Sequence, residues 1–349
     1  MSTRSYIVWD LGGTKCAAAH VSVTEDEVYS IVKTDTVRLT EVDSLEAMVE
    51  RFETHLDLRF SEADAMCIAG AGLYDGEKLV NANPYPFEMH LGTMASREHW
   101  PELSVVHDYT PVICRGFIDA GRCYSEGIIT INSGTMDPHG RRIAFGMGTG
   151  LGLKDGVMLP SGELWLGHNE MGHIGLSCPP FASKEDMERH TAWLAFLQSH
   201  YPELPVSFET VLSGRGLALL HQFSAGLKEP VSPRQVQIEV AQDSDITQKT
   251  LSLYTWYLGL FLCTVQLAFM PSGGIWMAGG LVERVPQIFS DQYRDYLQRG
   301  LSSSSVYADF RESIPVFGLI EPPHVLLGAA YYAHHRQTIE QREMLVKTS

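Results

Sequence analysis

The sequence predicts an α/β protein of two similar domains, and three observations carry that reading. Strand-like and helix-like segments alternate along the whole chain. Two glycine-rich turns, at Gly12-Gly13 and over Gly146–Gly152, each follow a strand-like run and lead into another. The chain has 349 residues, enough for two domains with cores of their own.

The elements follow in order. Ser5–Asp10 is β-branched and aromatic, and Cys16–Val21 resumes strand character beyond the glycines, which reads as a hairpin with a glycine tip. A third strand is expected within Val28–Val37. Apolar residues at 45, 48, 49, 52 and 56 recur at the helical period across Ser44–Leu58. Ala65–Ala69 and Leu103–Val106 read as short buried strands, and Phe117–Tyr124 as a helix ended by Gly127. The plan then restarts. Ile128–Ile131 and Ile143–Phe145 are strands, and Gly146–Gly152 turns into another. Helices are expected over Lys184–Gln198, Gly214–Phe223, a long apolar stretch after Thr247, Leu281–Arg299 and His324–Gln341. Gly274–Ala278 and Pro315–Leu319 are strands, and Lys228–Asp243 carries no interpretable motif.

Composition narrows the partners. Lys and Arg total 26 against 42 Asp and Glu, a formal net charge of −16. Such a surface repels nucleic acid and anionic membranes, so a phosphate-bearing ligand must be held locally, by backbone amides and a metal ion. Six scattered cysteines without a CxxC pair suit free thiols in a reducing compartment. Asp10 interrupts the apolar stretch near the N-terminus, so no signal-peptide core is expected there, in agreement with a cytoplasmic protein. Leu251–Met270 is long enough to span a bilayer, but its Ser, Thr and Gln residues favour a buried core helix.

The chemistry-bearing motifs each have a plain structural alternative. In Asp10-Leu-Gly-Gly-Thr14-Lys15 the glycines allow close approach of amides to a phosphate, and Asp10 can hold Mg²⁺ through water; the alternative is a tight turn. Gly146-Met-Gly-Thr-Gly-Leu-Gly152 strips one strand face of side chains and fits neither the dinucleotide fingerprint nor a P-loop. Two such turns can clamp one polyphosphate. Val105-Val-His-Asp108 runs a strand into a carboxylate that is either a general base or a helix cap. Glu170 and His173, three apart in a Gly-rich loop, can bond sugar hydroxyls or ligate zinc. Glu209 is an acceptor or a first-turn carboxylate, and Ser213-Gly214 opens a helix.

In this order the motifs resemble the bacterial-type glucokinase family, within the hexokinase/actin-like sugar kinase superfamily. Asp10–Thr14 matches the family's Asp-x-Gly-Gly-Thr, and Gly146–Gly152 its second glycine turn without a gap. Val211–Gly214, Ala278–Val282 and Leu326–Ala330 match further segments, so the resemblance covers nearly the whole chain. It implies a two-domain actin-like ATPase (ribonuclease H-like) fold with an interdomain active-site cleft, a small domain of 1–118 plus 325–349 and a large one of 119–324. It implies ATP and Mg²⁺ as cofactors, phosphorylation of glucose at its C6 hydroxyl, and a homodimer. Asp108 would then be the base, with Asn83, His107, Glu170, His173 and Glu209 at the sugar. The nucleotide would meet Asp10, Gly12, Gly13, Thr14, Lys15, Gly148, Thr149, Gly150, Ser213, Gly214, Gly279 and Gly280. Three places depart from the family: His107 where Asn is usual, Met171 where Gly is usual, and Leu166-Gly-His-Asn169 in place of a Pro-Gly lead. They leave room for another hexose or an amino sugar as acceptor, or for a sugar-sensing protein of weak activity.

Overall fold

The computed structural model describes residues 3–81, 85–118, 127–176, 179, 181–321 and 323–348. The chain gathers into two units: Met1–Ala120 with Leu159–Leu164 and Pro322–Ser349, and Gly121–Met158 with Trp165–Glu321.

In the first unit, strand β1 (Thr3–Leu11) sends Ile7, Trp9 and Leu11 to one face and Tyr6 and Val8 to the other, all buried. A strand covered on both faces belongs at the centre of a sheet. β2 (Lys15–Thr24) returns antiparallel across the glycine turn, Leu11 facing Cys16, and β3 (Tyr29–Arg38) pairs beyond it. Helix α1 (Leu45–Leu56) starts where Ser44 Oγ accepts from Ala47 N–H, and buries Leu45, Met48, Val49, Phe52 and Leu56. β4 (Ala65–Gly70) then runs parallel to β1. β5 (Leu73–Tyr74) and β6 (Leu79–Val80) form a small ribbon, and α2 (Leu91–Arg97) leads to β7 (Glu102–His107), parallel to β4. The sheet order is β3-β2-β1-β4-β7. The carboxyl ends of three parallel strands, at Leu11, Gly70 and His107, therefore share one edge.

Helix α3 (Thr110–Ile118) begins seven residues before the expected Phe117, with Tyr109 between it and Asp108. Pro111 sits in its first turn, where a missing N–H costs nothing. The rest of the expected helix, 119–124, lies outside the described residues.

In the second unit come β8 (Ile128–Asn132), β9 (Arg142–Met147), β10 (Leu151–Met158) and β11 (Leu164–Leu166). Helices α4 (Lys184–His200), α5 (Phe208–Leu212), α6 (Gly214–Ala225), α7 (Pro233–Val240) and α8 (Asp245–Phe269) follow. β12 (Ile275–Ala278), α9 (Gly280–Arg284), α10 (Asp291–Leu301), α11 (Ala308–Glu312) and β13 (Val316–Leu319) complete it. The sheet order is β11-β10-β9-β12-β13-β8. Antiparallel β9 and β10, a third strand beside them, then β12 and β13 parallel to β9 repeat the plan of the first sheet.

Two expectations change here. Leu281–Arg299 is not one helix: Pro286 opens a separate 3₁₀ turn over Pro286–Phe289, and α10 restarts after Ser290. The motif-poor 228–243 holds α7, capped by Ser232 Oγ on Gln235 N–H with Pro233 at its first position. The apolar α8 is long enough to cross a membrane, but its side chains, from Leu251 to Val265, pack within the core of this unit.

The chain returns to the first unit as α12 (Pro323–Thr348). Leu326, Ala329, Ala330 and Ala333 lie on the sheet face of Tyr6, Val8, Ala17, Ala19 and Cys67. Arg115 Nε donates to His324 Nδ1 at 3.2 Å, both side chains buried. His335 Nε2 donates to Gly162 O. That bond gathers 159–164, expected in the large domain, into this unit. The side chains of Cys16, Cys67, Cys114 and Cys263 are buried; Cys123 and Cys178 lie outside the described residues.

Candidate active site

The sheet edge of the first unit collects Asp10, the glycine turn and Asp108. Gly13, Thr14 and Lys15 are exposed at the tip. Gly12 N–H donates to Lys15 O at 3.0 Å, closing the turn. Thr14 O accepts from Leu39 N–H at 3.0 Å, which ties the tip to the residue after β3. Asp10 is half-buried at the end of β1.

Asp108 follows β7 directly, its side chain 29% exposed. Its Oδ1 lies 2.8 Å from His107 Nδ1, yet off the line of a hydrogen bond, and has no hydrogen-bond partner among the described residues. The first helical bond of α3 runs from Ile113 N–H to Tyr109 O, so Tyr109, and not Asp108, takes the cap position. The carboxylate is left for something else. Tyr85, not expected from the sequence, donates from its hydroxyl to Ala71 O at 2.7 Å. Burial, reinforced by the charge of Asp108 and opposed by a bond from Asn81, pushes its phenol up to about 12. Asn83 lies outside the described residues.

In the second unit the Gly146–Gly152 turn is the meeting point. Gly148 N–H closes it on Gly150 O at 3.0 Å, so this amide too is spent internally, while Thr149 stands exposed. Gly214 N–H donates to Gly148 O at 2.8 Å, and Ser213 Oγ caps α6 through Gly216 N–H at 3.1 Å. Both expected nucleotide residues are buried and hold the turn. Gly279 adopts φ +100°, and a Cβ there would stand 2.8 Å from Met147 O. Gly280 opens α9 behind it.

Glu209 joins this turn to the proposed sugar residues. Its Oε2 accepts from Leu151 N–H at 2.9 Å, and its Oε1 lies 4.0 Å from His173 Nδ1. The other ring nitrogen, Nε2, is 3.8 Å from Glu170 Oε2. Glu170, His173 and Glu209 thus form one chain, the imidazole between two carboxylates, and all three reach solvent. Met171 does not crowd them: it is buried in the core cluster beneath, because the short turn over Met171–His173 points it inward. Gly172 is needed there, since any Cβ would strike Leu151 O. Nor is the unusual Leu166–Asn169 lead slack. Asn169 Nδ2 donates to the buried Asp155 Oδ1 at 3.3 Å, and its Oδ1 accepts from Met171 N–H at 3.4 Å. The sequence marks the Leu166–Asn169 lead as unusual but gives no signal of Asp155, because the pair forms only when β10 and this loop meet.

Two α/β units with one strand plan, each ending in an exposed glycine turn, define an enzyme of the two-domain actin-like ATPase fold and of the sugar kinase class. A glucokinase from an Antarctic psychrotroph superimposes with a TM-score of 0.77 at 21% identity, covering 95% of this chain and 98% of that one. A ROK family glucokinase from Streptomyces griseus, solved with glucose and AMPPNP, does so at 0.61 and 18% identity, covering 95% and 99%. The glucokinase of Saccharophagus degradans is 25% identical over 334 residues, 93% of this chain and 97% of the relative. The family model described as Glucokinase matches residues 7–336, and the chain belongs to the glucokinase family.

Proposed function

We propose that the protein transfers the γ-phosphoryl group of ATP to the C6 hydroxyl of glucose, with Asp108 as general base. The observation that carries this reading is the unpartnered Oδ1 of Asp108 at a strand's carboxyl end. Asp108 takes the proton of the C6 hydroxyl as that oxygen attacks the γ-phosphorus; the phosphoryl group passes to O6 and ADP leaves. Glu170, His173 and Glu209, with Asn83 and His107, hold the sugar hydroxyls in this reading. Amides at the exposed tips, Gly13, Thr14, Thr149 and Gly150, take the phosphates, and Ser213, Gly214, Gly279 and Gly280 border the adenosine.

Asp10, a single half-exposed carboxylate beside a turn, suits Mg²⁺ held through water. When bound, the ion neutralises phosphate charge that this acidic chain has few cations to meet. The reading makes the protein a cytoplasmic, homodimeric enzyme at the entry to glycolysis.

A second acceptor, another hexose or an amino sugar, is favoured by His107 where the family has Asn. The test is ADP release with Mg-ATP across glucose, mannose, fructose, glucosamine and N-acetylglucosamine, with Asp108→Ala as blank. Glucose ahead and lost in the variant is expected. Another sugar ahead moves the specificity, and an active Asp108→Ala protein removes the base assignment.

A further inference from the structure

We propose that Arg284 is a nucleotide-binding residue: its guanidinium lies over Gly280 and offers a planar cation to the face of the purine base. The proposal rests on the reading that Gly279 and Gly280 border the adenosine.

The local structure places this group. Gly280 opens α9, and Arg284 is the last residue of that helix, four positions on. Residues so spaced share a helix face, and long side chains lean back over the preceding turn. A Cβ built on Gly280 would stand 2.9 Å from Arg284 Nη2, 3.1 Å from Cζ and 3.4 Å from Nη1. An approach to the edge of the fork would leave Cζ farther than both nitrogens. Cζ instead falls between them in distance, so Gly280 meets the flat of the guanidinium. A side chain at 280 would push the group away, and the bare glycine is its seat.

The guanidinium is otherwise uncommitted. Arg284 is exposed and makes no hydrogen bond or ion pair among the described residues. It stays unpaired in a chain where 42 Asp and Glu outnumber 26 Lys and Arg.

The glycine turn beside it gathers further positive charge. A Cβ on Gly279 would stand 2.8 Å from Met147 O, and the next residue, Gly148, accepts from Gly214 N–H at 2.8 Å. A Cβ on Gly214 would in turn lie 3.6 Å from Pro233 Cβ, so α7, in the stretch without a motif, borders the same turn. Arg215 follows Gly214 and Arg234 follows Pro233. Both are exposed and, among the described residues, also without a hydrogen bond or ion pair. Three uncommitted guanidiniums around one turn suit an anionic, electron-rich ligand better than a neutral sugar.

Of the three, Arg284 is the one whose plane is fixed against a glycine of the adenosine border. A guanidinium on a purine gains from stacking and from attraction to the π face. Lysine keeps the charge but has no plane to stack.

Calorimetric titration of the wild type, Arg284→Lys and Arg284→Gln with Mg-AMPPNP tests this. Both variants should lose roughly 5- to 30-fold in affinity, because neither keeps the planar cation. Adenosine, the probe without phosphates, should lose the same factor when it displaces Mg-AMPPNP. The KM for ATP should rise while the KM for hexose stays within about twofold of wild type. The exposed side chain has no bond to lose, so all three proteins should melt together. An Arg284→Lys protein that binds Mg-AMPPNP like the wild type overturns the stacking. So does adenosine affinity retained beside lost Mg-AMPPNP affinity, which makes the group a phosphate contact. If the wild type binds no Mg-AMPPNP, the nucleotide reading itself falls and takes the proposal with it. If the wild type and both variants bind alike, the proposal falls alone.

Discussion

Replacing Glu209 by Ala should weaken ATP binding, although Glu209 belongs to the proposed sugar site. The bond from Leu151 N–H to Oε2 is 2.9 Å and involves an ionised acceptor. Such bonds contribute about 1.5–3 kcal/mol. The side chain is 34% exposed, so water takes back part of that. About 1–2 kcal/mol remains, which is roughly a 5- to 30-fold rise in the dissociation constant of Mg-AMPPNP, at 1.4 kcal/mol per decade. Glu209→Gln separates the two duties. Its amide oxygen still accepts from Leu151, so nucleotide affinity should stay within about threefold of wild type. The charge 4.0 Å from His173 is gone, so the KM for hexose should rise. Calorimetric titration with Mg-AMPPNP and steady-state hexose kinetics on both variants decide it. Unchanged nucleotide affinity in Glu209→Ala, or equal losses in both variants, would refute the linkage.

Other outcomes follow from the same geometry. Asp108→Asn should lower kcat by roughly 10²- to 10⁴-fold with AMPPNP affinity preserved, as separate kinetic and binding measurements will show. Gly328→Ala should destabilise by about 1–3 kcal/mol, because a Cβ there runs into Pro111 O and crowds Arg115 N at 3.0 Å; thermal unfolding measures it. Burial holds the folded pKa values of His190 and His334 below that of free histidine. The unfolded chain then binds more protons below about pH 6.5, so their contribution is present above that pH and lost as pH falls. Melting temperature should drop from pH 7.5 to 5.5, and less steeply in His190→Gln. Burial raises the thiol pKa of Cys16 and Cys67, so both should resist alkylation in the native protein and react on unfolding, as mass spectrometry of labelled peptides will show.

The glycine turns were legible because their spacing is local: a hairpin between two strand-like runs needs no distant partner to be recognised. Residues Ser44–Leu58 carry helical periodicity, and α1 follows it. The cap signal at Asp108 before Tyr109-Thr-Pro pointed to a helix there, while the apolar pattern alone put the helix at Phe117–Tyr124; α3 begins at Thr110 and packs against α12. The expected helix over Leu281–Arg299 is interrupted at Pro286, which has no N–H to continue it. At the site, residue types were readable and their connections were not. That Glu209 holds Leu151, that Met171 faces inward, and that Asp155 braces Asn169 all depend on contacts between segments far apart in sequence.

The return of α12 has a consequence for how the protein is made. The face formed by Tyr6, Val8, Ala17, Ala19 and Cys67 is made before Gly121, but the helix that covers it comes only after Glu321. At 5–20 residues per second, the whole of Gly121–Glu321 must be synthesised first, a delay of roughly 10–40 s. During that interval the nascent chain carries a bare apolar sheet face, a natural substrate for a holdase chaperone. A chain stopped before Pro323 keeps every proposed site residue and should still fail to accumulate in soluble form.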